Sequence, residues 1–210
     1  MASSRTTLGS STRVNAAIST SPIKSSHVSS TVPSFWDIAN SKLDLKTRKS
    51  LVHVNIGTGR VIDAVLQEAV AKQKSVSAKR WKLVVRGKEV ILRDVFAKII
   101  KWIDHFKAVG DIAVQFNSGA ASLPWAAVRF LLQIATNEKQ YLEATIEGIE
   151  MATEMIATYA TVETLYLDPE FQVHTQIRTK VVGLYGHILS FLGESIQYYQ
   201  QSIANSKARQ

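Results

Sequence analysis

The sequence predicts an all-α protein, a multi-helix bundle of about five to six helices behind a disordered N-terminal tail. Three observations carry this expectation. Apolar residues recur at helical spacing over most of the chain from Phe35 onward. Residues 1–33 are a different material, with 10 Ser and 5 Thr and no Asp or Glu. The joins between the periodic stretches are short and marked by Gly, Pro or capping residues, as packed neighbouring helices require.

The elements follow in order. The tail, residues 1–33, cannot bury enough apolar surface to offset its ordering entropy. A transit peptide is also Ser-rich and acid-poor, but here only Arg5, Arg13 and Lys24 are basic, so compositional disorder is the preferred reading. No secretory apolar segment and no myristoylation signal are evident. The expected bundle then occupies residues 34–206. Leu51–Ile56 is apolar but precedes the Gly57-Thr58-Gly59 break and is ambiguous. Val61, Ile62, Val65, Leu66, Ala69 and Val70 repeat as one helical face. Leu83-Val84-Val85, Arg86-Gly87 and Val90-Ile91-Leu92 fit a small hairpin, but the second run merges into a helix, so a loop is expected. That helix carries a wide stripe from Ile91 to Phe106, which predicts a central position, and Gly110 ends it. Ser122 can cap the next helix, with Pro124 in its first turn and Trp125, Val128, Leu131, Leu132 and Ala135 along its face. Asn137 with Gln140 resembles a capping box opening a helix that buries Leu142, Ile146, Ile149, Met155, Ile156, Tyr159, Val162 and Tyr166. Asp168-Pro169 signals the last helix, with Ile177, Val181, Leu184, Tyr185, Ile188, Leu192 and Ile196 as its apolar set.

Composition removes several function classes. With no Cys there is no disulfide framework, thiolate metal site or cysteine nucleophile. No apolar stretch reaches the ~18–20 residues of a spanning helix. The formal charge of +8 permits an anionic partner without requiring one. It is unevenly placed: residues 1–110 hold 19 basic and 7 acidic groups, net +12, and residues 111–210 hold 6 and 10, net −4. That polarity suits self-association or docking better than uniform polyanion binding.

The chemistry-bearing motifs are thin. Gly57-Thr58-Gly59-Arg60 lacks the Lys-Ser/Thr pair by which a phosphate loop reaches terminal phosphates, so a turn is the preferred reading. Glu143, Glu147, Glu150 and Glu154 share one helical face, which reads as a solvated acidic stripe or a docking face for a basic partner. His27, His53, His105, His174 and His187 show no zinc-ligand spacing, and no nucleophile elbow occurs, so no cofactor, metal or catalytic residue is expected. The clearest charge cluster is Lys79, Arg80, Trp81 and Lys82, followed by Arg86 and Lys88. Cations beside an aromatic suit an anionic partner, whether a lipid headgroup or a nucleic-acid backbone. Gly183, Gly186 and Gly193 in one helix each cost roughly 1 kcal/mol relative to Ala, and close helix–helix approach is the expected offset.

Several blocks then align with a family. Phe35-Trp36-Asp37-Ile38-Ala39 stands upstream. Val109-Gly110-Asp111-Ile112 leads to Ser122-Leu123-Pro124-Trp125-Ala126-Ala127-Val128-Arg129-Phe130-Leu131-Leu132. Ile146-Glu147-Gly148-Ile149-Glu150, Val162-Glu163-Thr164-Leu165-Tyr166 and Leu184-Tyr185 follow. In order and spacing these resemble the N-terminal domain of fungal NACHT-type NTPases, the STAND or NOD-like receptors. The likeness spans roughly residues 35–200.

The resemblance implies a helical module ahead of a nucleotide-switch domain, acting by protein contact or self-association in non-self recognition or programmed cell death. A membrane-active effector on anionic lipid is the second expectation, and a nucleic-acid binder the third. The implied location is cytoplasmic, and no enzyme activity is expected. No Walker A motif follows before Gln210, so a stand-alone or truncated module is expected. The motif residues Trp36, Gly110, Asp111, Leu123, Pro124, Trp125 and Phe130 are expected to be mainly structural. Arg129, a charge within an apolar helix, is expected to pair with Asp111 or with an acid of the 138–166 helix.

Overall fold

The computed structural model describes residues 33–54, 61–85, 87–110, 121–135, 139–166 and 175–207. The expected disordered tail, except Pro33, lies outside them, as do the Gly57–Arg60 turn and the Asn137 and Asp168-Pro169 signals.

The all-α expectation holds, with seven helices and one small hairpin among the described residues. Two short helices open the body. Helix α1 (Phe35–Ser41) starts at a capping box, in which Ser34 N donates to Asp37 Oδ2 at 2.8 Å and Asp37 N donates to Ser34 Oγ at 3.2 Å. Helix α2 (Leu45–Val52) is capped by Asp44, whose Oδ1 accepts from Lys46 N and Thr47 N at 2.9 Å each. Those bonds, led by the Thr47 hydroxyl, hold the Asp44 carboxyl below its ordinary pKa.

Helix α3 (Val61–Ala78) ends in a Schellman turn. Trp81 N donates to Val76 O at 3.2 Å and Arg80 N to Ser77 O at 3.2 Å, which puts Arg80 at φ 47°. An arginine thus occupies the left-handed position that glycine normally fills.

The segment expected to be a loop is a hairpin. Strand β1 (Lys82–Val85) pairs antiparallel with β2 (Lys88–Ile91), with Leu83 opposite Val90 and Val84 opposite Glu89. Gly87 at φ 78° helps turn the chain. Leu83 is buried and Val84 is 68% exposed, the alternation of a half-buried strand. The helical stripe misled because Ile91 fits either period. In the structure Ile91 ends β2 and is 42% exposed, while α4 (Leu92–Gly110) begins at the buried Leu92. Gly110 does close that helix.

Helix α5 (Leu123–Ala135), not α4, is central. It packs against α3, α6 (Lys139–Tyr166), α7 (Thr175–Lys207) and α2, whereas α4 lies mainly against α3 and α6. The physical reason is visible in α5 itself: Leu123 to Val128, Leu131 and Leu132 are all buried, so it is apolar nearly all round. The surplus width of α4 is spent at its margins, where Ile100 and Trp102 are half-buried. Lys107 and Asp63, at 2.8 Å, link α4 to α3. In α6, Leu142, Ile146, Ile149 and Ile156 are buried as expected, while Met155, Tyr159 and Val162 are half-buried. In α7, Val181, Tyr185, Ile188, Leu192 and Ile196 are buried, Leu184 is half-buried, and Ile177 is 47% exposed, contrary to expectation.

The glycines of α7 divide. A Cβ at Gly193 would stand 2.6 Å from Thr47 Cγ2 and 3.2 Å from Thr47 O, so close approach of α2 explains this residue. A Cβ at Gly183 or Gly186 would meet nothing within 4 Å, and close packing explains neither. No helix among the described residues is long and apolar enough to cross a membrane.

Candidate functional site

Three blocks that lie far apart in the chain meet at one buried contact. Trp36 of α1 is 2% exposed and stacks on Tyr185 of α7, with ring centroids 3.7 Å apart and planes 6° from parallel. The Tyr185 hydroxyl donates to Glu163 Oε2 of α6 at 2.9 Å. Burial raises the Glu163 carboxyl above its ordinary pKa, and the Tyr185 hydrogen bond works against that rise. Burial first, then the neighbouring carboxylate, pushes the Tyr185 phenol well above its own ordinary value. The chain Trp36–Tyr185–Glu163 therefore ties three helices together through an apolar stack and one charge-assisted bond. Nearby, Arg178 lies over the Phe35 ring at 5.9 Å, a second tie from α7 to α1.

Most of the Leu123–Leu132 block is buried. Leu123 and Pro124 are buried, and Trp125 is 1% exposed against Phe106 at 4.7 Å between ring centroids. Phe130 is half-buried and packs against the core. Arg129 is half-buried, its Nε is buried, and no hydrogen bond or ion pair joins it to an α6 acid among the described residues. Asp111, the other proposed partner, lies outside them.

A contact that periodicity does not reveal sits beside this block. A Cβ at Gly148 would stand within 3 Å of the Phe191 ring edge, so Gly148 of α6 is the socket for an α7 phenyl group. The signal was present as a glycine interrupting a strong helical stripe.

The basic cluster is brought together on the α3–β1 corner and the hairpin. Lys79, Arg80, Lys82 and Lys88 are exposed, and Arg86 lies outside the described residues. Two cations are already engaged: Lys79 Nζ sits over the Trp81 ring at 4.9 Å, and Lys82 pairs with Glu89 at 2.5 Å. Trp81 is half-buried against the core. Its ring is thus partly committed on both sides, which weakens the reading of Trp81 as a base-stacking platform. What the hairpin offers outward is Val84 and Ile91 beside the Lys82–Glu89 pair.

The acidic stripe is less solvated than its spacing suggests. Glu147 and Glu150 are half-buried, and only Glu154 is exposed; the Glu143 side chain is not among those described. Lys98 of α4 lies 3.8 Å from Glu150. Burial raises the Glu150 carboxyl, Lys98 opposes this, and Glu154 and Glu147 add to it. Of the histidines, His105 shares a hydrogen bond with Thr161 Oγ1 at 3.2 Å, while His27 and His174 lie outside the described residues. No group of three or more potential metal ligands occurs among the described residues.

The site so built holds helices together and offers surfaces. Comparison with known proteins agrees with the resemblance read from the motif blocks: a family model described as the N-terminal domain of NWD NACHT-NTPase matches residues 35–209. No curated protein and no solved structure matches the chain.

Proposed function

The chain belongs to the family of N-terminal domains of NWD NACHT-NTPases, and from that premise we propose that it is a non-enzymatic signalling module working through protein contact. The family match over residues 35–209 carries the reading. In proteins of this architecture the nucleotide chemistry lies in the separate NACHT domain, which leaves the helical N-terminal part to make contacts. Its setting would be cytoplasmic non-self recognition or programmed cell death, as in the fungal receptors the sequence resembles. The contacted partner would be a second copy or a receptor carrying a similar domain.

The contact surface we assign to this role is the outer face of the hairpin. Val84 and Ile91 stand exposed there at 68% and 42%, flanked by Lys82 and Glu89 of the same face. Apolar groups ringed by charges of both signs suit a partner surface, where charge sets register and apolar contact supplies affinity.

Sedimentation velocity over a concentration series tests this. The wild-type chain should self-associate, and Val84→Glu with Lys82→Glu should be monomeric. A wild-type chain that stays monomeric throughout, or associates as strongly with the double substitution, refutes the assignment. Hydrolysis of ATP or GTP by the purified chain would refute the non-enzymatic half.

A further inference from the structure

Helix α2 is built inside out. Its buried residues are Thr47, Ser50 and Leu51, two of them hydroxylic, and Thr47 and Leu51 face α7 at Gly193. Its outward residues include Leu45 and Val52, which are 65% and 64% exposed. At 100° per residue, Leu45, Lys49 and Val52 fall on one strip about 60° wide, opposite the buried side. An amphipathic helix that only served the core would have these two aliphatics inside.

Lys42, Lys46 and Lys49 are exposed, and none makes an ion pair among the described residues. The fourth cation, Arg48, is committed: its Nη2 donates to Ser41 O at 2.6 Å and to Leu43 O at 3.3 Å, holding the α1–α2 turn. The only acid of the segment, Asp44, is committed to the helix cap. The outer face of α2 thus carries Lys49 between two isolated aliphatics, with Lys46 on its flank and Lys42 beside it at the α1 C-cap.

We infer that the outer face of α2 docks the protein on an anionic lipid surface, with Leu45 and Val52 entering the headgroup boundary and Lys42, Lys46 and Lys49 on acidic headgroups. The composition favours lipid over other polyanions. Nucleic acid or free phosphate would use the lysines and leave both aliphatics without a role. A protein partner is a poorer fit, since lysine is depleted at interface cores and leucine and valine are under-represented among hot spots. At a bilayer, lysine stems lie along apolar surface while their ammonium groups reach phosphate, and short aliphatic prongs find a liquid apolar layer. The inference is independent of the hairpin assignment, because the two surfaces share no residue.

Flotation with vesicles of phosphatidylcholine alone, and of phosphatidylcholine with about 30% phosphatidylserine, tests it at low and high salt. The chain should float only with the anionic vesicles, and less at high salt. Lys46→Gln with Lys49→Gln should lower partitioning about 30-fold, from ~1 kcal/mol per lysine at an anionic surface. Leu45→Ser with Val52→Ser should lower it about ten-fold or more. Both pairs are solvent-facing, so melting curves should match wild type. Val84→Glu with Lys82→Glu on the hairpin should float normally.

A second readout reports insertion directly. The chain has no cysteine, so Leu45→Cys carries a unique thiol for an environment-sensitive fluorophore. Its emission should shift to the blue on anionic vesicles. Absence of flotation at low salt, loss of flotation in the hairpin variant equal to that in the α2 variants, or an unshifted label each overturns the inference. So does an α2 variant that floats normally but no longer self-associates, which would make this face a protein contact.

Discussion

Replacing Tyr185 by Phe isolates one bond, because the ring that stacks on Trp36 is kept and only the hydroxyl is lost. In the wild type that hydroxyl donates to Glu163 Oε2 at 2.9 Å within the core. A hydrogen bond to a charged group contributes about 1.5–3 kcal/mol, and one between neutral groups about 0.5–1.5 kcal/mol. At neutral pH, with Glu163 ionised, Tyr185→Phe should therefore cost about 2 kcal/mol. For a folded body of this size that lowers Tm by ~4–8 °C.

The cost should depend on pH in a defined direction. Burial raises the folded-state pKa of Glu163, so between the ordinary glutamate value and the raised one the folded state holds more protons than the unfolded state. Stability from this group is accordingly fullest below the ordinary value of about 4.3 and falls as pH rises through the folded pKa. Removing the Tyr185 hydroxyl removes the effect that opposes burial, so the folded pKa rises further and the window of loss widens upward. The gap between wild type and Tyr185→Phe should be ~1 kcal/mol near pH 4, where the bond is neutral, and about twice that at pH 7. Urea melts at both pH values measure it. Glu163→Gln is the companion: its amide oxygen still accepts while the desolvated charge is gone, so it should match or exceed wild-type stability at pH 7. A gap that is constant with pH, or wider in acid, refutes the coupling between Tyr185 and an ionised Glu163.

The two kinds of glycine in α7 should respond with opposite signs. Gly183→Ala, where nothing lies within 4 Å, should stabilise by up to ~1 kcal/mol, and Gly193→Ala should destabilise because Thr47 Cγ2 and the Thr47 carbonyl are too close; thermal melts of both decide it. Arg80→Gly relieves the left-handed strain at φ 47° and, after the entropy that glycine loses, should raise stability by ~0.5–1 kcal/mol in urea melts. Trp36→Ala removes the stacked indole from the core and should cost about 3–5 kcal/mol, with loss of amide protection concentrated in α1.

Much of the fold was legible because α3 to α7 are long enough for the 3.6-residue period to dominate. The errors fall where two periods or two packings compete. Val90-Ile91-Leu92 satisfied the helix pattern, yet Gly87 and the Leu83–Val90 register make the first two of these residues a strand. The width of the α4 stripe does not report centrality. The better signal was the near-continuous apolarity of Leu123–Leu132, since a helix buried on all sides has no polar face to show. The motif blocks were found in the sequence, but their meeting at Trp36, Tyr185 and Glu163 was not. Which helices touch is set by topology, and no local pattern encodes it.

Helix α2 was hidden for a different reason, and that reason bears on its role. Its inner face must be small at Thr47 because α7 approaches to where even a methyl group at Gly193 would clash with that residue. Thr47 and Ser50 meet that demand at little polar cost, since Ser50 Oγ donates to Lys46 O at 3.1 Å and Thr47 is bonded to the Asp44 cap. Packing therefore explains the hydroxyls inside. It does not explain the aliphatics outside, because Lys or Glu at positions 45 and 52 would keep the helix and improve its hydration. A sequence reading that equates apolar with buried assigns Leu45 and Val52 to the core and loses the face they make. Once the inner face is fixed by the Gly193 contact, the outer residues are released from any packing requirement. Their pairing with Lys49 and the exposed lysines beside it is then a property of the surface, and the surface is where its cause should be sought.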